Sequence, residues 1–214
     1  MNKIDITALQ NVMTYEQYIT QAQDLLKEGK ASSMGTDNSP EMLHYTEMNM
    51  QRMNRLGKTT KLAWDNLKIL RGLKKPMTWL VISEAWCGDA GQIIPVLEMM
   101  SAENPLIQHR LIFRDEHTDI MDAFLTDGGR SIPMIIFLNP EGNVLGHWGP
   151  RPEALHVIIQ AQKAIMLAMP KEERKAYFEE LKTDVQMWYN KDKTVSIQKE
   201  FLAAMKMSLV ANIK

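Results

Sequence analysis

Cys87 is the single cysteine among 214 residues, and its setting gives it a chemistry. It follows a short apolar run of strand length, Thr78-Trp79-Leu80-Val81-Ile82-Ser83, and stands in a turn, Trp86-Cys87-Gly88. That turn opens a helix from about Asp89 to Ala102. A thiol at a helix amino terminus lies beside unpaired backbone N–H groups and the positive end of the helix dipole. Both favour the thiolate, the form that attacks a disulfide. Lowering a thiol from about 8.5 to about 7 takes roughly 2 kcal/mol of preference for the thiolate. A helix terminus supplies on the order of 0.3–2 kcal/mol, and hydrogen bonds from N–H groups add to that. Asp89, about 8 Å away, opposes it by about 0.5 kcal/mol in water-like surroundings and about 2 kcal/mol at an intermediate dielectric. On these terms the thiol is balanced. Asp89 has a second reading, as a carboxylate in the first helical turn that satisfies orphan N–H groups.

Other chemistry-bearing residues form weaker patterns. Asp115, Glu116, His117 and Asp119 cluster where a strand leads into a helix, and they read as solvated helix-start residues more readily than as a metal or acid–base site. The five histidines, His44, His109, His117, His147 and His156, have no metal-ligand spacing such as HExxH. His147 and Trp148 end a strand and are expected against a neighbouring loop or helix. Arg130 is within reach of an anion near Cys87, although a surface arginine is its ordinary role. One cysteine excludes an intrachain disulfide and any multi-thiolate metal site. No phosphate-binding loop or nucleophile elbow is present.

The elements that position Cys87 belong to the middle of three zones. From Met13 to Leu73 apolar residues recur at helical spacing. Tyr15, Tyr18, Ile19, Ala22, Leu25 and Leu26 stripe a first helix, and Gly29 to Pro40 is a loop of turn-formers. A second helix starts behind Ser39 with Pro40 at its first position. It carries Met42, Tyr45, Asn49, Met53 and Leu56, and Gly57 is expected to break it. Lys58 to Leu70 follows as a third. The middle zone changes period: a strand to Ser83, the helix after Cys87, a strand over His109 to Phe113, and a short helix from Asp119 to Leu125. Strands Met134–Leu138 and Val144–Trp148 then flank a turn at Asn139-Pro140-Glu141-Gly142-Asn143. A helix from Glu153 to Met169 should turn Leu155, Ile158, Ile159, Gln162 and Ile165 inward. After Pro170 two more helices carry Tyr177, Phe178, Leu181, Val185 and Trp188, then Ile197, Phe201, Leu202, Met205 and Leu209. These stripes, like the 17 methionines, read as packing surfaces. The order describes a small α/β sandwich.

The segment from the strand through Trp86-Cys87-Gly88-Asp89-Ala90 to a helix containing Pro95 resembles the active-site region of the thioredoxin family. There the signature is Trp-Cys-Gly-Pro-Cys, and a kinking proline lies eight residues after the first cysteine, as Pro95 does here. Arg130-Ser131-Ile132-Pro133-Met134-Ile135-Ile136-Phe137 is similar to the family loop whose proline is cis and faces the reactive cysteine. Gly149 matches a glycine used there after the last strand. The resemblance implies a thioredoxin-like fold, a central mixed sheet flanked by helices, over residues 74–169. It leaves 1–73 and 170–214 as amino-terminal and carboxy-terminal helical extensions. It also implies a groove in which Trp86, Gly88, Ile132 and Pro133 bind substrate beside Cys87 and Asp89, the backbone at Ile132 being open to pairing with an extended peptide. Three departures bear on activity. The second family cysteine is Ala90, the proline before it is Asp89, and the buried carboxylate many thioredoxins keep six residues before the cysteine is Val81.

Ala90 excludes dithiol reduction, so two functions follow. One is monothiol thiol–disulfide exchange in redox homeostasis, with Cys87 forming a mixed disulfide that an external thiol resolves. The alternative is a redox-inactive binding or adaptor module using the groove and added helices. The expected partner is a client protein or a low-molecular-weight thiol, with no metal or other cofactor. A homodimer through Cys87 is a third expectation. A net charge of −1 without a basic stripe argues against nucleic acid. No apolar stretch approaches the roughly 18 residues of a membrane span. Met1 to Gln17 lacks an apolar signal core, and the lack of a disulfide framework fits a reducing compartment. A soluble, cytoplasmic protein is the expectation.

Overall fold

The computed structural model describes residues 1–35 and 37–211. Thr36, in the loop expected over 29–40, and residues 212–214, at the end of the carboxy-terminal zone, lie outside the described residues. Helix α1 (Tyr15–Lys27) starts at a capping box in which Thr14 and Gln17 satisfy each other's backbone N–H groups. Helix α2 (Pro40–Thr59) is capped by Ser39, with proline in its first turn. It runs through Gly57, where the sequence suggests a break: one glycine costs a helix only about 1 kcal/mol, less than the helix gains by burying Met50, Met53 and Leu56 ahead of it. The third helix is accordingly shorter, α3 (Trp64–Arg71).

Strand β1 (Met77–Ser83) leads through the Cys87 turn into α4 (Gly88–Ser101), followed by β2 (Ile107–Phe113). The next helix, α5 (Thr118–Met121), is a single turn and does not reach Leu125. β3 (Met134–Leu138) and β4 (Val144–Trp148) form the hairpin. The sheet order is β2-β1-β3-β4, with β1 parallel to β2 and antiparallel to β3, and β4 antiparallel to β3. β1 and β3 are buried almost throughout, as strands covered on both faces must be. The architecture is α/β, a thioredoxin-like sandwich with helical extensions.

Two of the last three helices depart from the pattern read in the sequence, and the last one keeps it. In α6 (Glu153–Ala168) Leu155 is the buried apolar residue, while Ile158 and Ile165, expected inward, stand 42% and 48% exposed. In α7 (Lys171–Asp192) Leu181 and Tyr189 are buried and Phe178 is exposed. The face of β4 is taken instead by α8 (Val195–Ala211), which buries Ile197, Phe201, Leu202 and Met205. Phe201 explains the choice: its ring meets Trp79 at 4.7 Å, Phe137 at 5.3 Å and Trp148 at 5.8 Å between centroids. Edge-on aromatic clusters of this kind bury more area than the alanines and β-branched residues of α6 can offer.

Candidate functional site

Cys87 is the N-cap residue of α4, and α2 fixes where that helix sits. Gly91 lies against α2 so closely that an added Cβ would meet Asn49 at 3.1–3.2 Å, and Asn49 in turn donates to the Ala85 carbonyl at 3.1 Å. The turn before the cysteine is thus held by a side chain 36 residues upstream. From the opposite side comes the loop before β3. Ile132 and Pro133 are both buried, and the Ile132–Pro133 peptide bond is cis. Gly149, at φ +136°, lets the end of β4 pass this loop; a Cβ there would come within 2.4 Å of the Pro133 carbonyl oxygen.

The structure brings Cys87 and Ile132 into direct contact: the thiol donates to the Ile132 carbonyl at 3.2 Å. Cys87 is buried, and burial pushes its pKa up to about 12. The Asp89 charge raises it further, while the backbone N–H groups of Ala90 and Asp89 and the Arg151 cation pull weakly the other way. Desolvation therefore tips the balance left open by the helix terminus and Asp89 alone. At pH 7 the sulfur is a thiol that donates a hydrogen bond.

Asp89 is also buried, and neither of its oxygens caps the helix. Oδ2 accepts from Arg151 Nε at 2.9 Å and Nη2 at 2.6 Å, and Oδ1 accepts from the Tyr189 hydroxyl at 2.6 Å. Burial and the neighbouring Asp89 charge both hold the Tyr189 pKa well above its ordinary value, so it stays a donor. Through Tyr189, α7 lies over the first turn of α4. Gln92 donates to Gln186 of α7 at 2.7 Å, and a Cβ on Gly88 would meet Gln186 Nε2 at 3.3 Å. Trp86 is half-buried under the Arg114 guanidinium, 5.0 Å from its ring centroid. Trp86 and Gly88 flank the thiol, with α7 on the Gly88 side.

Arg151, Tyr189 and Gln186 are missed by a reading of the sequence because they lie 62, 100 and 94 residues from the α4 residues they bond. Arg130, which the sequence puts within reach of an anion near Cys87, is instead engaged by Asp122 at 2.6 and 2.7 Å. A further carboxylate was also missed. Glu84, three residues before Cys87, is fully buried; its Oε1 accepts from the Asp115 N–H at 3.0 Å, and its Oε2 has no protein partner. Burial pushes its pKa up to about 8. The acidic cluster after β2 is less solvated than its composition suggests. Glu116 accepts from Ser33 and Asn11, and buried His117 donates to the Gln10 carbonyl at 3.0 Å. His147 meets the Phe124 ring edge-on, and burial lowers its pKa. Among the described residues no cluster of His, Cys, Asp and Glu has the arrangement of a metal site, and no helix is long and apolar enough to cross a membrane.

Comparison with known proteins follows the same lines. Residues 35–164 match a family model described as thioredoxin. No curated protein matches the chain. Two solved structures are similar: a protein of unknown function from Pseudomonas aeruginosa, with 17% identity and a TM-score of 0.54, and an HIV epitope-scaffold, with 17% identity and a TM-score of 0.52. In both cases 91% of this chain and 98% of the other are covered. Identity at this level speaks to the fold alone.

Proposed function

The chain belongs to the thioredoxin family, and from that premise we propose that it is a redox-inactive binding module in which Cys87 serves structure. The observation that carries this reading is the state of the thiol: buried, donating to Ile132, with its pKa pushed up to about 12. At pH 7 such a thiol is held in its protonated form, and the thiolate is the attacking species, so nucleophilic attack is suppressed. Ala90 removes the residue that would resolve a mixed disulfide, and the added helices supply surface for a protein partner. The test is reaction with dithiobis-nitrobenzoate at pH 7. Native protein should react at least about 100-fold more slowly than the same protein unfolded in denaturant, and Cys87→Ser should keep the fold and the biological role. A native thiol as reactive as a free one, or loss of the role in Cys87→Ser, overturns it.

A second reading, monothiol exchange, is favoured by the two N–H groups of Asp89 and Ala90 that point at the sulfur. With α7 displaced, a Cys87 thiolate would attack a disulfide, forming a mixed disulfide and releasing one partner as thiolate. An external small thiol in a reducing, cytoplasmic setting would then take over that partner and restore Cys87. Trp86, Gly88, Ile132 and Pro133 would line the groove for the client, and Asp89 would set the charge beside the sulfur. Gln186→Ala combined with Tyr189→Phe is the variant that separates the two. Mixed-disulfide formation with oxidised glutathione rising at least about tenfold, read by mass spectrometry, supports exchange; no rise supports the binding module.

A further inference from the structure

The near-neutral balance of the whole chain conceals a basic stretch. Residues 52–75, the end of α2, all of α3 and the segment leading into β1, hold eight of the chain's 25 cations and one of its 26 acids, Asp65. The remainder of the chain is therefore net acidic. The cations lie at the surface: Arg55, Lys58, Lys61, Lys68, Lys74 and Lys75 are all exposed. Lys68 meets Asp65 at 3.5 Å and Arg71 meets Glu103 at 2.8 Å, while the other five exposed cations form no salt bridge with a described residue. Helix ends explain part of the pattern, since Lys58 closes α2, and Lys68 and Arg71 close α3, beside carbonyls of negative charge. They do not explain Arg55, Lys61, Lys74 or Lys75. Arg52 registers the crowding: burial, and then the Arg55 charge, lower its pKa.

The corner between α7 and α8 joins the same surface. Gln198 of α8 accepts from the Ala63 N–H at 3.1 Å and from Asn66 at 3.0 Å, and donates to the Lys61 carbonyl at 3.0 Å. Exposed Lys199 is the next residue, and exposed Lys193 ends the turn before α8. Among these cations stands Trp64, 64% exposed, with the Lys68 ammonium 5.6 Å from its ring centroid. Trp64, Lys68 and Arg71 recur at four- and three-residue steps, so they share one side of α3.

We propose that this surface docks a short acidic segment of a protein partner, a run of Asp and Glu around one apolar side chain that packs on Trp64. The inference rests on the reading of the chain as a binding module and gives its partner a chemistry. Charge complementarity sets the partner's sign, and an exposed tryptophan ringed by Lys and Arg has the makeup of an interface anchor with a charged rim. The acidic remainder of the molecule sets the partner's size. A nucleic acid or an anionic membrane extends past the patch and meets like charge, since 25 of the 26 acids lie outside residues 52–75. A short segment meets the cations alone. Trp64 also offers one stacking ring, where sites that track a nucleic-acid strand stack successive bases. Helix α3 has eight residues and is about 12 Å long, matched by about eight residues of an acidic helix or about four of extended chain.

Fluorescence anisotropy with a labelled peptide of about 12 residues, Glu and Asp around a central Phe, tests the proposal. The dissociation constant should be about 10–100 μM in about 50 mM salt and rise at least about tenfold in about 500 mM salt. Lys61→Glu with Lys68→Glu should weaken binding at least about tenfold and Trp64→Ala at least about fivefold, with circular dichroism unchanged. Lys163→Glu with Lys171→Glu, outside the patch, should change it less than about twofold. No binding below about 1 mM, equal loss in the two lysine pairs, or no response to Trp64→Ala overturns the proposal. So does tighter binding of an oligothymidylate or of phosphatidylserine vesicles than of the peptide, which assigns the surface to nucleic acid or to membrane. A slow Cys87 thiol without peptide binding rejects the docking surface alone, whereas a reactive thiol rejects the redox-inactive reading.

Discussion

Two carboxylates bracket Cys87, Glu84 three residues before it and Asp89 two residues after, and both are buried. Asp89 has its oxygens filled by the Arg151 guanidinium and the Tyr189 hydroxyl. Glu84 has one backbone N–H on Oε1 and no protein partner on Oε2, and its acidic neighbours Asp115 and Glu116 add to the cost of ionising it. The same functional group is therefore held as half of an ion pair in one place and as a neutral acid in the other. What separates them is which elements reach them. Asp89 is met by the chain after β4 and by α7, both of which bring donors; Glu84 is met by the loop after β2, whose Asp115 N–H and Arg114 cation do not offset burial and the Asp115 and Glu116 charges.

The largest effect that probes this contrast is removal of the paired carboxylate. Asp89→Ala strands Arg151, whose side chain is 15% exposed, beside a Tyr189 hydroxyl with no acceptor. Breaking a buried pair by deleting one partner typically costs about 3–5 kcal/mol. Urea denaturation should show a loss of that size, and Asp89→Ala with Arg151→Met should recover most of it. A loss below about 1 kcal/mol would mean that water reaches Arg151 and that the pair is a surface one.

Glu84→Gln is the complementary change, with the opposite sign. A carboxyl raised from 4.5 to about 8 by folding keeps its proton in the native state after the unfolded chain has lost it. The native state binds more protons through that interval, so Glu84's contribution to stability is full below about pH 4.5 and is lost as pH rises to about 8. Glutamine has no proton to lose. The variant should therefore flatten the decline and be more stable than wild type by about 2–4 kcal/mol at pH 8.5, measured as the difference between denaturation curves at pH 5 and 8.5. Parallel pH profiles for the two proteins would place Glu84 in contact with solvent.

These assignments show which parts of the molecule can be read from sequence. The turn at Cys87, the strand before it and the helix after it are written in consecutive residues, so period and turn chemistry reveal them. The Ile132–Pro133 loop was legible through its resemblance to a family motif. Asp89 was legible as a residue but not in its role, because local spacing favours a cap and the real partners come from β4's exit and α7. Glu84 carried no signal: a glutamate at the end of a strand is usually solvated, and only the packed loop after β2 shuts water away from it. The exchange of α6 for α8 was hidden for a similar reason. Both helices carry apolar stripes, and periodicity alone does not say which one the sheet selects.

The contrast also predicts a difference in how the two carboxylates act on the thiol. Asp89 is charged and raises Cys87, so Asp89→Asn should bring the thiol pKa below about 12 while burial keeps it above the ordinary 9. Ultraviolet thiolate absorbance against pH measures that shift, and an unchanged curve would assign the whole elevation to burial.

Glu84→Gln should do almost nothing to Cys87 at pH 7. Glu84 is protonated there, with its pKa near 8, and a glutamine of the same shape replaces one neutral side chain by another. The rate of thiol modification at pH 7 should change by less than about twofold. Above pH 8 the wild-type carboxylate ionises, and its charge opposes a thiolate while the glutamine's absence of charge does not. Modification rates of the two proteins should therefore coincide at pH 7 and separate by pH 9.5, the glutamine variant being faster. Rates that already differ at pH 7 would mean that Glu84 is ionised in the native protein, and the two carboxylates would then be alike in charge and different only in partner.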